Sequence, residues 1–242
     1  MFISATWKAC SCTAAARRAS PSERTPRRLS PAAASPCWPR GRPPSWPTAS
    51  LLLHAGTGAD TLTDGVGTDA LFGGDGADWL DGGAGAGLLL GGLGNDRYIV
   101  DDAGDRISEA GGGGVDTVVS SLSFTLGASI ENLTLSGTAS LTGTGNGAGN
   151  RMLASDAGSA LAGLAGRDTL IGGAGEDVLA GGSGADRLTG GAGADHFRYG
   201  FAGEGGDNVT DFLRGSDVVE VLPRASAAGS PPAWTCWQRG DS

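Results

Sequence analysis

The feature that most constrains this chain is a period of nine. Residues 172–195 read GGAGEDVLAGGSGADRLTGGAGAD, with glycine pairs, an acid and a leucine returning at fixed places. Nine-residue frames can be laid from 55, 64, 73, 82 and 91, and again from 154, 163, 172, 181 and 190. The fourth position is glycine in nine of these ten frames, and the sixth is aspartate in eight. The eighth is large and apolar in all ten: Leu62, Leu71, Leu80, Leu89, Tyr98, Leu161, Leu170, Leu179, Leu188 and Phe197. A fixed short period of this kind marks a chain built from stacked identical units.

The physics of one unit follows from its residues. A triplet such as Val178-Leu179-Ala180 makes a short strand, its middle side chain on one face and its neighbours on the other. The glycine-rich hexapeptide must then reverse the chain, and glycine supplies the positive φ and close backbone approach this needs. Two units make one coil of eighteen residues with a strand on each side. Coils stacked in parallel bury the eighth-position residues between the two sheets. The fold class predicted is all-β, a parallel β-roll or β-solenoid.

Stacking also brings acids together. Aspartates one coil apart lie about 4.8 Å from each other, the spacing of paired strands. Water and salt only partly screen the resulting repulsion, so a cation should sit between them. Carboxylates and turn carbonyls are hard oxygen donors in irregular array. That suits calcium, with six to eight oxygens at roughly 2.3–2.6 Å, better than magnesium with its strict octahedron.

Composition divides the chain at the borders of the repeats. Residues 51–222 hold 42 of the 45 glycines, no cysteine, no proline, and seven arginines against 24 acids. Without cysteine, disulfides cannot staple this body, and a fold with so little conventional core needs another brace. Residues 1–50 carry eight Lys/Arg against one acid and eight of the eleven prolines. They and residues 223–242 are expected to be disordered or to derive from DNA read out of frame, since proline, serine and arginine leave little to bury. No run of eighteen apolar residues exists, so no membrane span is expected. The body's acidity argues against nucleic acid as a partner.

The units Gly73–Asp81, Gly172–Ala180, Gly181–Thr189 and Gly190–Arg198 resemble the RTX family, the hemolysin-type calcium-binding repeat of secreted bacterial proteins. The resemblance implies a parallel β-roll with calcium between turns. Each ion is then shared by loop carbonyls and by aspartates one coil apart. Carried onto this sequence, the ligands are Asp60, Asp69, Asp78, Asp96, Asp168, Asp177, Asp186 and Asp195, with carbonyls near Gly74, Gly76, Gly173, Gly175, Gly182 and Gly184. The pairs are Asp60 with Asp78, Asp78 with Asp96, Asp168 with Asp186 and Asp177 with Asp195, which gives about four ions. Gly87 stands where an aspartate is expected, leaving Asp69 without a full partner. Ser159 and Ala157 stand at the sixth and fourth positions of the frame at 154, which argues against a site there.

The predicted organisation is a first repeat block at 51–99, a β-rich spacer at 100–153, a second block at 154–198 and a closing β segment at 199–222. In the spacer, Leu122, Phe124 and Leu126 alternate with polar residues, as do Leu133 and Leu135, which reads as half-buried strand. The closing segment DNVTDFLRGSDVVEVL resembles the end of serralysin-type and other type I-secreted proteins, with Asp207, Asp211, Phe212, Asp217 and Val219 in corresponding places. The resemblance therefore implies secretion, with a type I secretion apparatus as partner. No catalytic constellation is expected. His54 and His196 are far apart in sequence, and neither HExxH nor GxSxG occurs. The alternative reading is the C-terminal part of an RTX exoenzyme of metalloprotease, lipase or mannuronan epimerase type, or an adhesin segment. The repeat reports a folding mode and not the cargo.

Overall fold

The computed structural model describes residues 27–29, 50–109, 113–200 and 204–222. Most of residues 1–49 and all of 223–242 lie outside these, so the expectation of disorder there is not addressed. Within the first stretch, a strand at Arg27–Leu29 runs parallel to Asp60–Leu62.

The described residues form strands and turns with no helix. Every strand pairing is parallel, and from Leu52 onward the pairings join segments one coil apart, as in Leu62 to Leu80, Leu80 to Tyr98, and Leu170 to Leu188. One face is a continuous ten-stranded sheet that runs from Arg27–Leu29 to Asn208–Val209. The opposite face is divided. Four strands from Leu52–Thr57 to Arg106–Ile107 form one sheet, and six from Phe124–Thr125 to Val218–Val221 form another. This is the predicted parallel β-solenoid.

The core is a single file between the two faces. Leu62, Leu71, Leu80, Leu89, Tyr98, Leu170, Leu179, Leu188 and Phe197 are all 0% exposed, and Leu161 is 1% exposed. Each such side chain contributes roughly 1.5–3 kcal/mol by leaving water. One large side chain per nine residues is a thin core, because ordering a glycine-rich turn costs more conformational entropy than ordering any other backbone.

The spacer continues the same coil. Strand partners advance from Arg97 to Thr117, to Asn132 and to Arg151. Those steps are 20, 15 and 19 residues, together three coils of eighteen. The insertions and deletions cancel, so the second block resumes in the phase of the first. Leu133 and Leu135 occupy the core as predicted, on the strand Asn132–Leu135. The alternation at 122–126 produces less strand than expected. Only Phe124–Thr125 pairs, and Ser120 turns the chain by donating from its hydroxyl to the Leu122 carbonyl and accepting from the Leu122 amide.

Two glycine positions define the turn. At the second position the backbone takes φ of 111° at Gly92, and at the fourth 122° at Gly94. A Cβ at either would run into the carbonyl of Gly74 or Gly76, one coil earlier. Leu164 occupies a second position in place of glycine and adopts φ of 78° while half exposed. A leucine in that region is strained by about 1 kcal/mol or more.

Candidate metal centre

The sixth-position aspartates form two ladders, one along each edge where the coil turns. On the first, the Asp60 amide donates to Asp78 Oδ1, the Asp78 amide to Asp96 Oδ1 and the Asp96 amide to Asp116 Oδ1, each at 2.8 Å. The Asp116 amide continues to Glu131 Oε2 at 2.8 Å. The same edge resumes with the amides of Asn150, Asp168 and Asp186, which donate to Asp168, Asp186 and Asp207 at 2.7, 2.8 and 2.9 Å. On the second edge the Leu51 amide meets Asp69 and the Gly87 amide meets Asp105, at 2.7 and 2.8 Å. There too the amides of Ser159, Asp177 and Asp195 meet Asp177, Asp195 and Asp217, at 2.7, 2.9 and 3.2 Å. All four pairs expected from the sequence are thus one coil apart and directly linked.

Each carboxylate uses one oxygen for this bond. The second oxygen, Oδ2, is buried and has no hydrogen-bond partner in Asp69, Asp78, Asp96, Asp168, Asp177, Asp186, Asp195 and Asp207. Six of these Oδ2 atoms face the first glycine of their own unit. A Cβ at Gly73, Gly163, Gly172, Gly181 or Gly190 would strike the Oδ2 of Asp78, Asp168, Asp177, Asp186 or Asp195 respectively. The first glycine therefore makes room for the carboxylate, which explains why the pair of glycines and the acid recur together.

Burial makes these acids costly in the absence of a cation. None of the eight sixth-position aspartates is more than 8% exposed. An ionised carboxylate buried without a counter-charge costs several kcal/mol. Among the described residues the ion pair is Arg198 with Glu220, on the outer face and away from the ladders. Burial accordingly pushes the carboxyls of Asp96, Asp168 and Asp177 up to about 6, with the next acid in the stack adding to the shift. Those of Asp78, Asp186 and Asp195 are raised for the same reasons. Orphaned carboxylate oxygens in a water-poor, uncompensated array fit a hard divalent cation.

The carbonyls expected to help are partly placed. Those of Gly74, Gly76 and Gly175 lie against Gly92, Gly94 and Gly193 of the next coil, on the turns. The Gly173 carbonyl also accepts from the Ala192 amide at 2.8 Å. Gly184 forms a parallel bridge with Glu204, and Gly182 stands beside Leu164 of the preceding coil. Asp69 keeps the ladder geometry, but Gly87 above it brings no carboxylate. At the frame from 154, Ser155 and Ser159 hydroxyls bond each other at 3.2 Å in place of an acid pair.

Sequence reasoning missed four rungs: Asp105, Asp116, Asp207 and Asp217. Asp105 was within reach, since it lies nine residues beyond Asp96, though without the glycine at the fourth position. The other three stand 20, 21 and 22 residues from the rungs they cap, so insertions hide them from any fixed period. Asp211 also belongs to this cap, accepting from the Gly190 and Gly191 amides at 2.9 and 2.8 Å. His196 is exposed, as its outward position implied. His54 stacks on Phe72 with ring centres 4.2 Å apart.

A parallel solenoid with paired acids at its turns defines a repeat module for hard cations. The particular repeat is identified by comparison with known families. Four copies of the RTX calcium-binding nonapeptide repeat match at residues 54–89, 65–98, 74–107 and 161–198. The chain carries RTX repeats, and these are calcium-binding units. No curated protein matched the chain.

Proposed function

We propose that the chain is the calcium-responsive module of a secreted bacterial RTX protein, with about four ions held between its turns. The observation that carries this reading is the set of buried Oδ2 atoms without partners, stacked one coil apart on both edges. The ligand pairs are Asp60 with Asp78, Asp78 with Asp96, Asp168 with Asp186 and Asp177 with Asp195, and Asp69 contributes an incomplete site. In low calcium, as in a cytosol, the mutual repulsion of these acids and the thin core leave the chain unfolded. In millimolar calcium, sites with Kd of about 10⁻⁴–10⁻³ M fill. At one hundred times Kd each adds about 2.7 kcal/mol to the folded form. Folding is thereby coupled to export, for which a type I secretion apparatus is the partner. The role is structural and not catalytic, because a carboxylate pair repeated along two edges serves a ladder, whereas catalysis needs one pair. The catalytic or adhesive part belongs to other regions of a parent protein.

The test is circular dichroism of the full chain during a calcium titration. Strand signal should rise cooperatively in the millimolar range and fall sharply with chelator. A strand signal unchanged in excess chelator overturns the proposal.

A further inference from the structure

One site in the molecule does not follow the nonapeptide pattern. Asp96, Glu109 and Asp116 each bring a carboxylate oxygen within 4.8 Å of the other two. A cation bonded to oxygens at roughly 2.3–2.6 Å spans at most about that separation between ligands on opposite sides. Asp96 belongs to the first repeat block, Asp116 begins the spacer, and Glu109 stands outside any repeat frame. The Tyr98 hydroxyl enters the same place. Tyr98 Oη, Asp96 Oδ2 and Glu109 Oε1 converge on the Cα of Gly91, where a Cβ would meet all three.

Two groups here are buried and unsatisfied. Tyr98 is 0% exposed and its hydroxyl has no hydrogen-bond partner, and Asp96 is 2% exposed with Oδ2 likewise orphaned. An unpaired buried hydroxyl costs about 1–3 kcal/mol. The other core positions of the first block avoid that cost by using leucine. A tyrosine at this one position, its hydroxyl beside Asp96 Oδ2 and Glu109 Oε1, is accounted for by a cation that binds these oxygens.

We propose that Asp96, Glu109, Asp116 and the Tyr98 hydroxyl hold a divalent cation, calcium by preference, at the junction of the first block and the spacer. The choice of calcium rests on the reading of the repeat turns; Asp96 is shared with the Asp78–Asp96 pair, whereas Glu109, Asp116 and the Tyr98 hydroxyl belong to no repeat pair. Three carboxylates converge here against two in each repeat pair, and affinity of oxygen-donor sites rises with ligand charge. This ion is therefore the tightest in the molecule. Its position also has a consequence for the fold. The sheet on the divided face ends at Arg106–Ile107, and the ion ties Glu109, just past that end, to Asp96 and Asp116 on neighbouring coils.

The experiment is a calcium titration of the full chain by calorimetry, beside Glu109→Gln and Tyr98→Phe. The native chain should show one ion bound at least tenfold more tightly than the rest. Glu109→Gln should lose that tight ion and keep the weaker ones. Tyr98→Phe keeps the ring that fills the core, and should weaken the same ion several-fold. Terbium in place of calcium gives a second readout: emission excited through the phenol should fall in Tyr98→Phe. If both variants bind the native number of ions with native tightness, the proposal fails, while calcium-dependent folding of the native chain would leave the repeat reading standing. Should Glu109→Gln fail to fold in calcium, unchanged tight binding in Tyr98→Phe would still overturn the tyrosine's place in the site, and reduced binding would support it.

Discussion

The spacer and the repeat blocks share one coil but answer the same electrostatic problem differently. In the blocks, seven of the ten turns bury a sixth-position carboxylate whose second oxygen has no hydrogen-bond partner. In the spacer, the corresponding turn carries Asn150. Its Oδ1 accepts from the Asn146 amide at 2.8 Å, and its Nδ2 donates to Asn146 Oδ1 at 3.2 Å. Asn146 in turn donates to the carbonyls of Gly127 and Ile130 at 2.6 and 2.8 Å. An amide brings both a donor and an acceptor, so it can close a turn without a cation. The spacer also fills its interior more densely, with Val118, Leu126, Ile130, Leu133, Leu135 and Met152 all buried. The blocks thus depend on ions along their length, whereas the later part of the spacer closes its turn at Asn150 without one.

The largest expected effect tests that contrast directly. Chelation of the full chain should strip amide-exchange protection from 54–98 and 161–198 while 117–153 keeps part of its own. Several sites at about 2.7 kcal/mol each are removed from the blocks, and from the spacer only the junction ion at Glu109 and Asp116, outside 117–153. Equal loss across all three regions, read by hydrogen exchange, would erase the distinction.

A smaller effect comes from one rung. Asp177→Asn should lower stability by about 2.7 kcal/mol in millimolar calcium, the contribution of one filled site. In chelator it should leave the residual strand signal unchanged or raise it, because the asparagine oxygen can still accept the Ser159 amide without a buried charge. A loss of equal size in both conditions would make Asp177 a hydrogen-bond acceptor only.

The pH dependence is expected to be gentler still. Without calcium, Asp96, Asp168 and Asp177 hold their protons up to about pH 6, against an ordinary carboxylate value of 3.8. The folded chain therefore binds more protons than the unfolded one between these values. Stability from these groups is complete below about pH 4 and declines as pH rises through about 6. In chelator, strand signal by circular dichroism should be greater at pH 4.5 than at pH 7.5, and calcium should reverse that order.

The smallest change is Leu164→Gly. It removes the side chain from a backbone of φ 78° and matches the glycine found in neighbouring units. A gain of about 1 kcal/mol is expected in millimolar calcium, measured as the shift in urea midpoint. A loss instead would mean that the leucine side chain stabilises this turn.

The repeat period made the coil, its core residues and the four acid pairs legible in advance, because each unit is bounded locally by glycine geometry and strand alternation. The eight aspartates chosen by their spacing all lie on the two ladders. What the period could not show were the caps. Asp116, Asp207 and Asp217 arrive through insertions, and their place is set by the strand register of Thr117, Asn208 and Val218 with strands one coil earlier.

The amino-acid sequence alone decided that this chain winds, how many residues each coil takes, and which side chains face inward, since these depend on neighbours a few residues apart. Stacking decided the rest: that one carboxylate oxygen is used by the coil below while the other is left bare, and that Glu109 and Tyr98 meet Asp96 and Asp116. Those relations join residues on different coils, and only the paired strands fix how one coil sits upon the next.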